Sequence, residues 1–229
     1  MVDRMTPPFP LVGTGMTSPR TRTRMIERMR DSGIQDERVL NAIADLPRHL
    51  FVENALAHRA YDDDALPIGH GQTISQPQTV GRMTELLLNA PNAPRKILEI
   101  GTGCGYQTAV LVKLFGEVYS MERIAALLDK ARAHLRAVKL VRARLVHGDG
   151  HLGLPECAPF DGIIMTAAAT HIPEALLDQL VVGGRMILPI GTQEQHLWMI
   201  DKHASGIEKT QLDPVRFVPL LPGGDLKRR

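Results

Sequence analysis

The chain has 229 residues, of which 44% are hydrophobic, and a formal net charge of +2. This length suits one α/β domain with a sizeable core, and the small net charge does not predict binding to nucleic acid or to a membrane surface. Its two cysteines, Cys104 and Cys157, are too few for a disulfide framework and lack metal-ligand spacing. No apolar run is long enough for a signal peptide or a membrane span, so we expect a cytoplasmic protein without a bound metal.

The N-terminal part of the chain predicts an extension followed by a helical cap. Residues 1–17 are rich in proline and glycine and are expected to be loosely ordered. Three helices should follow, and they begin at or contain Ser18, Asp36 and Phe51. The arginines of the first helix could bind RNA, but charge runs without interleaved aromatic residues more often form a solvated face. We predict that residues 18–65 cap a single domain spanning residues 18–229.

The segment KILEIGTGCGY at residues 96–106 is the most informative part of the chain. An apolar run, alternate glycines and an amphipathic segment predict a buried strand, a tight turn and a helix. Gly101, Gly103 and Gly105 would let a ligand approach the backbone, and the N–H groups of the next helix would face the same space. A dinucleotide fingerprint requires glycine where this chain has Tyr106, which disfavours NAD. A purely structural turn is the alternative.

This loop resembles the first motif of the S-adenosylmethionine methyltransferases, in which an acid precedes glycines spaced G-x-G-x-G. The acid here is Glu99, and its negative charge suits the cationic sulfonium and ammonium groups of that cofactor. We therefore take Glu99, the three glycines and Thr102 as candidate cofactor contacts.

The ends of three later predicted strands supply further candidates for the cofactor site: Glu122, Asp149 with Gly150, and Thr166. Glu122 follows Gly101 by twenty-one positions, the spacing at which a carboxylate accepts hydrogen bonds from ribose hydroxyls. Asp149 lies in a glycine-flanked turn that can offer an acid to an adenine amino group. The alternatives are a surface acid at a helix start and a plain Asp-Gly turn.

Strands and helices alternate between residues 95 and 190, which predicts a mainly parallel sheet covered by helices on both faces. Predicted strands occupy 117–122, 143–147, 160–166 and 185–190, and predicted helices occupy 123–138 and 172–180. Ligands should lie at the carboxyl ends of these strands. Beyond Gly191 the pattern is strand-like without helices, including 215–220, and predicts an antiparallel end to the sheet. Residues 95–229 would form the cofactor-binding core.

The segment LPIGHGQTISQPQTVGR at residues 66–82 is polar and leads into a helix that begins at Pro77. Hydroxyl and amide groups gathered ahead of a helix can present donors to an anion. The alternative is that Ser75 or Gln76 simply caps that helix.

Four stretches together closely resemble the protein-L-isoaspartate O-methyltransferase family: PIGHGQTISQP at 67–77, ILEIGTGCGYQTAVL at 97–111, HGDG at 147–150 and GGRMILPIG at 183–191. The resemblance covers roughly residues 20–221 and implies a Rossmann-like class I methyltransferase fold. It also implies methylation, with S-adenosylmethionine, of the free α-carboxylate of isoaspartyl residues in damaged proteins, which begins repair through a succinimide. The active site would be Ser75, with substrate contacts at Gln72, Thr73, Ile74 and Pro77. Gln78 and Leu221 depart from some relatives, which affects detailed contacts only.

Two other functional classes stay open on the sequence. A methyltransferase acting on RNA or a small molecule would share the cofactor half but would need a basic aromatic groove or an apolar pocket, and the chain has only five Phe and three Tyr. A non-catalytic binding module would lose the ligand residues, yet Gly101, Glu122 and Asp149 are present. We expect isoaspartyl proteins and peptides as partners, no nucleic acid, no membrane and a monomer.

Overall fold

The computed structural model of the protein describes residues 15–224, which form two β-sheets and six α-helices. The helices are α1 (Pro19–Asp31), α2 (Glu37–Ala44), α3 (Pro77–Leu88), α4 (Tyr106–Leu114), α5 (Ala125–Ala137) and α6 (Glu174–Asp178). The strands are β1 (Leu66–Gly69), β2 (Gln72–Ile74), β3 (Lys96–Ile100), β4 (Glu117–Glu122), β5 (Arg144–His147), β6 (Phe160–Met165), β7 (Leu180–Gly191), β8 (Gln195–His203) and β9 (Gly206–Val215).

The larger sheet has seven strands in the order β5-β4-β3-β6-β7-β8-β9. Strands β3 to β7 are parallel, while β8 and β9 are antiparallel additions at one edge. The path of the chain through this sheet therefore starts at β3, moves outward through β4 and β5, and returns to β6 on the other side of β3. Such a reversal of strand order leaves a crevice at the carboxyl ends of the strands, where α/β proteins bind ligands. The predicted α/β class and mainly parallel sheet are confirmed.

Side chains of the central strands alternate between two cores, one on each face of the sheet. Residues on one face pack with α3 and α4, and they include Ile97, Val118, Ile164 and Ile187. Their neighbours on the other face pack with α6, and they include Leu98, Tyr119, Ile163 and Met186. Because both faces are buried, these strands are almost continuously apolar, which is why their positions could be predicted.

The cap agrees with the sequence in its first two helices and differs in the third. Ser18 accepts a hydrogen bond from the Thr21 N–H and Asp36 accepts one from the Arg38 N–H, as expected for helix N-caps. The predicted third helix is instead two 3₁₀ turns, Arg48–Phe51 and Asn54–Arg59, because the backbone between them is extended. Of the predicted extension 1–17, residues 1–14 lie outside the described residues and 15–17 form a 3₁₀ turn.

Three other elements differ from the sequence-based expectations. Residues 66–74, predicted as a polar lead-in to α3, form a β1–β2 hairpin whose tip takes positive φ at Gly69, His70 and Gly71. Strand β7 begins at residue 180 rather than 185, and α6 is shorter than predicted at both ends. Of the predicted strand at 215–220, Val215 ends β9 by pairing with Gln195, and the following residues pair with the chain after β6 through an isolated bridge between Pro219 and Ala168.

Among residues 15–224, no helix combines the length and the apolar character needed to cross a bilayer.

Candidate functional site

A cleft with about 820 Å³ of open space lies at the carboxyl ends of β3, β4 and β6, where the strand order reverses. The cleft brings together most of the predicted site residues: Gln72, Thr73, Ile74, Ser75, Gly101, Thr102, Gly103, Glu122, Gly150 and Thr166. Glu99, Gly105, Asp149 and Pro77 are not among its lining residues.

The glycine loop after β3 follows a path that side chains would obstruct. Gly101, Gly103 and Gly105 have φ values of +98°, +54° and +87°, which only glycine adopts easily. A Cβ at Gly101 would lie 2.3 Å from Oγ1 of Thr166, the hydroxyl that donates to the Gly101 carbonyl at 2.6 Å. A Cβ at Gly105 would press on Ala131 of α5 instead. Gly101 therefore shapes the cleft, while Gly105 serves helix packing beside it.

Glu122 ends β4 with its carboxylate already held in place. The side chain is buried, and Oε2 accepts from the Gly103 N–H at 2.8 Å while Oε1 accepts from the Ile124 N–H at 2.9 Å. A carboxylate offers about four lone-pair sites, so both oxygens keep acceptor capacity. An acceptor pair fixed by backbone amides at the cleft wall fits the two hydroxyls of a ribose.

Glu99 lies behind the glycine loop rather than in the cleft. Its side chain is fully buried, and Oε2 accepts from Oγ1 of Thr108 and Oγ of Ser120, both at 2.5 Å. Oε1 has no hydrogen-bond partner. Burial raises the pKa of Glu99 to about 8, although these two hydroxyls oppose the rise. Thr102 joins the same group through a 2.6 Å hydrogen bond between its hydroxyl and that of Ser120.

Asp149 directs its carboxylate to the backbone beside the cleft. Oδ1 accepts from the His151 N–H at 2.9 Å and Oδ2 accepts from the Gly223 N–H at 2.6 Å. Burial raises the pKa of Asp149, but the hydrogen bonds from Gly223 and His151 outweigh that effect and lower it. The adjoining Gly150 does line the cleft, and a Cβ there would lie 2.5 Å from Cγ2 of Ile100.

Ser75 follows β2, and within residues 15–224 its hydroxyl makes no hydrogen bond. The first turn of α3 is satisfied elsewhere, because the Gln78 N–H donates to Oδ1 of Asp63 at 3.2 Å. Neither Ser75 nor Gln76 caps the helix with its side chain, so the capping alternative is wrong. Pro77 occupies the first position of α3 and is buried.

A second compartment of about 1,020 Å³ adjoins the cleft on the far side of Ser75. Its remaining walls come from the start of α3 and from residues 214–218. Four residues line both spaces: Thr73, Ser75, Thr166 and Val218. Two compartments that meet at an uncommitted hydroxyl suit a reaction in which a group passes from one bound molecule to another.

Comparison with known proteins identifies the family. The model of the family described as protein-L-isoaspartate(D-aspartate) O-methyltransferase matches residues 20–224. The chain belongs to this family. It is 68% identical to the protein-L-isoaspartate O-methyltransferase of Chromobacterium violaceum, with 91% of this chain and 94% of that protein covered. It is 59% identical to the enzyme of the same name from Methylobacillus flagellatus, with coverages of 93% and 97%.

A solved structure of a family member shows the same overall fold. The Plasmodium falciparum protein-L-isoaspartate O-methyltransferase, in complex with S-adenosyl-L-homocysteine, superposes with a TM-score of 0.76 at 26% identity. The match covers 87% of this chain and 98% of that one.

One wall of the site in this protein-L-isoaspartate O-methyltransferase family member comes from the segment that the sequence predicted as a C-terminal strand at 215–220. Residues 218–221 line the cleft and are tied to the chain after β6, since Ala168 donates its N–H to the Val218 carbonyl at 2.8 Å. The Gln195 side chain also clamps Phe217, donating to its carbonyl at 3.1 Å and accepting from its N–H at 2.7 Å. We call residues 216–224 the C-terminal strap. These contacts join residues that are far apart along the chain, so no local sequence pattern predicts them.

Proposed function

We propose that this protein transfers the methyl group of S-adenosylmethionine to the free α-carboxylate of L-isoaspartyl residues in damaged proteins, which initiates repair through a succinimide. The observation that carries the proposal is the Ser75 hydroxyl, which is uncommitted at the junction of two compartments. Membership of the protein-L-isoaspartate(D-aspartate) O-methyltransferase family over residues 20–224 supports the choice of substrate.

We assign the cofactor and its product, S-adenosylhomocysteine, to the cleft at the carboxyl ends of β3, β4 and β6. Glu122 accepts the ribose hydroxyls, and the Asp149–Gly150 turn borders the adenine. The remaining cofactor residues are Gly101, Thr102, Gly103, Gly105 and Thr166. Glu99 acts from behind the loop, where its hydrogen bonds with Thr108 and Ser120 support the strand ends that hold the loop, and its raised pKa keeps it protonated at neutral pH. Gly101 supports this assignment, because a Cβ there would lie 2.3 Å from Oγ1 of Thr166 and would displace a residue that lines the cleft.

The second compartment takes the peptide that carries the isoaspartyl residue. An extended peptide lies between residues 72–77 and Val218 and pairs through its backbone, which tolerates many side chains. Gln72, Thr73, Ile74 and Pro77 shape this path, with Thr73 reaching both compartments.

The reaction requires little chemistry from the protein. An α-carboxylate has a reference pKa of about 3.3–3.7 and is ionised at neutral pH, so no general base is needed. The cofactor supplies an electrophilic methyl group. One carboxylate oxygen attacks this methyl carbon in line, the new O–CH₃ bond forms as the S–CH₃ bond breaks, and a methyl ester results. Ser75 donates a hydrogen bond that orients the carboxylate, and binding between the two compartments removes water from it.

The continuous family match over residues 20–224 supports a single domain. We propose a single methyltransferase domain over residues 18–229, with a cap at 18–65, a substrate segment at 66–82 and a cofactor-binding core at 95–229. We also propose a monomer that acts in the cytoplasm without nucleic acid, since Cys104 and Cys157 are free thiols suited to a reducing compartment.

Radiolabelled methyl transfer to two peptides that differ only in Asp versus isoAsp tests the substrate class. A normal aspartate carries its carboxylate one methylene farther from the main chain, and a displacement of about 1 Å can cost on the order of a hundredfold in rate. We expect label on the isoAsp peptide alone, followed by succinimide formation with loss of methanol. Equal labelling of both peptides, or labelling of RNA with neither peptide modified, would contradict the proposal.

Ser75→Ala tests the role of the hydroxyl. We expect turnover to fall with little change in melting temperature or in affinity for S-adenosylhomocysteine, because the lost hydrogen bond belongs to the substrate. Ser18→Ala is the matched control, since Ser18 caps α1 and its loss should cost about 0.5–2 kcal/mol of stability without changing activity per folded molecule. A Ser75→Ala variant that is destabilised but fully active would remove Ser75 from the reaction.

A further inference from the structure

Arg48 is a fully buried cation in the cap that reaches the backbone of Ser75. It begins the Arg48–Phe51 turn and has no exposed surface. Its Nη2 donates to the Ser75 carbonyl at 2.6 Å, and its Nε donates to the Ala60 carbonyl at 2.8 Å. The guanidinium therefore ties the end of the cap to the residue at the junction of the two compartments.

The same guanidinium also contacts the cofactor side of the site. Its central carbon lies 4.7 Å from the centroid of the Tyr106 ring, a distance typical of a cation–π contact. Tyr106 is the first residue of α4, directly after the glycine loop, and lines the cofactor cleft. Nη1 of Arg48 and the Tyr106 hydroxyl are both buried without a hydrogen-bond partner among the described residues. One planar group thus touches both halves of the site.

Stability alone does not account for this arrangement. Within residues 15–224, Arg48 forms no ion pair with a carboxylate, and its ionisable neighbours are Tyr106, Cys104 and Tyr61. Burying a cation without a counter-ion is costly, so an apolar side chain of similar volume would fill the space at lower cost. A lysine would not replace the contacts, because only the guanidinium fork can address two carbonyls in one plane.

We propose that Arg48 is a positioning residue for methyl transfer. By holding the Ser75 carbonyl while it packs on Tyr106, it sets the direction of the Ser75 hydroxyl relative to the glycine loop. This inference rests on the proposed function, because it concerns the alignment of the substrate carboxylate with the methyl group of the cofactor.

Arg48→Lys, which keeps the charge but loses the fork, is the first variant to measure. We expect kcat for the isoAsp peptide to fall roughly tenfold to a hundredfold, since misplacement of a reacting group by about 1 Å has an effect of that order. Affinity for S-adenosylhomocysteine, measured by calorimetry, should change much less. Arg48→Met is the second variant. It removes the buried charge altogether and fills a similar volume, so it should fold even if Arg48→Lys does not.

The matched control is Arg22→Lys. Arg22 also donates to a backbone carbonyl of the cap, that of Ala44 at 3.1 Å, and its guanidinium lies 5.8 Å from the Tyr61 ring. It makes no hydrogen bond to the Ser75 segment, so its replacement should affect stability and leave kcat per folded molecule unchanged.

A double-mutant cycle with Ser75→Ala decides between positioning and mere structural support. If Arg48 acts through Ser75, Arg48→Lys should cost little further activity once the hydroxyl is absent, so the two effects are not additive. Additive losses, or a loss of activity in both Arg48 variants that only matches the loss of folded protein, would overturn the inference. A folded wild-type protein that fails to methylate the isoAsp peptide would instead overturn the proposed function, and this inference with it.

Discussion

Replacing Glu99 with glutamine should change how the stability of the protein depends on pH. Burial raises the pKa of Glu99 from 4.5 to about 8 in the folded protein. In that interval the folded state holds a proton that the unfolded chain has lost, so the stabilising effect of protonation is complete below about pH 4.5 and is lost as pH rises to about 8. At 1.36 kcal/mol per pH unit, the loss amounts to at most about 5 kcal/mol.

Urea unfolding of wild-type and Glu99→Gln proteins, measured at several values between about pH 5 and about pH 8.5, tests this expectation. Glutamine can accept the hydrogen bonds of Thr108 and Ser120 and does not ionise, so the free energy of unfolding of the variant should decline less. The difference between the two curves should grow with pH and level off above about pH 8.

Glu117→Gln is the control for the same sheet. A hydrogen bond from Tyr119, with Arg144 nearby, lowers the pKa of Glu117, so this variant should keep the decline of the wild type across the interval. Parallel curves for wild type and Glu99→Gln would show that Glu99 is ionised in the folded protein, and the reasoning from its burial would be refuted.

Three further variants test the cofactor cleft. Glu122→Ala should weaken S-adenosylhomocysteine binding by roughly 1.5–3 kcal/mol, the range for hydrogen bonds to a charged group, and an unchanged dissociation constant by calorimetry would remove Glu122 from the site. Gly101→Ala should abolish that binding and lower the melting temperature, because its Cβ would meet Oγ1 of Thr166 at 2.3 Å; wild-type affinity would contradict the close approach. Gln195→Ala should weaken binding severalfold with the sheet intact, because the C-terminal strap loses its clamp on Phe217; unchanged affinity would show that the clamp is not needed.

The parallel core was predictable because its signals are local. Strands β3 and β6 are apolar on both faces and are followed by glycine or by small residues, so their type and end points could be derived from the chain itself. The β1–β2 hairpin was missed for the opposite reason. It has only two short strands with polar residues between them, and its alternation is too brief to distinguish a strand from a loop.

The candidate site could be predicted where the backbone needs a positive φ, because that need appears in the sequence as glycine. Gly101 and Gly103 line the cleft as expected, and so does Glu122. The roles of acids were harder to assign, because the direction of a side chain depends on its neighbours. Glu99 faces Thr108 and Ser120 behind the loop, and Asp149 is bonded to the strap. Neither arrangement can be derived from the spacing of these acids along the sequence.

The family, the cofactor loop and the alternation of strands and helices could all be predicted from the amino-acid sequence, because they depend on residues that are close along the chain. The contacts that place the C-terminal strap along the cleft, and the bond from Arg48 to Ser75, twenty-seven positions later in the chain, are visible only in the folded protein. Both contacts are made through backbone carbonyls, which every residue carries. Because any residue can supply such a carbonyl, the type of the accepting residue gives no indication that the hydrogen bond exists.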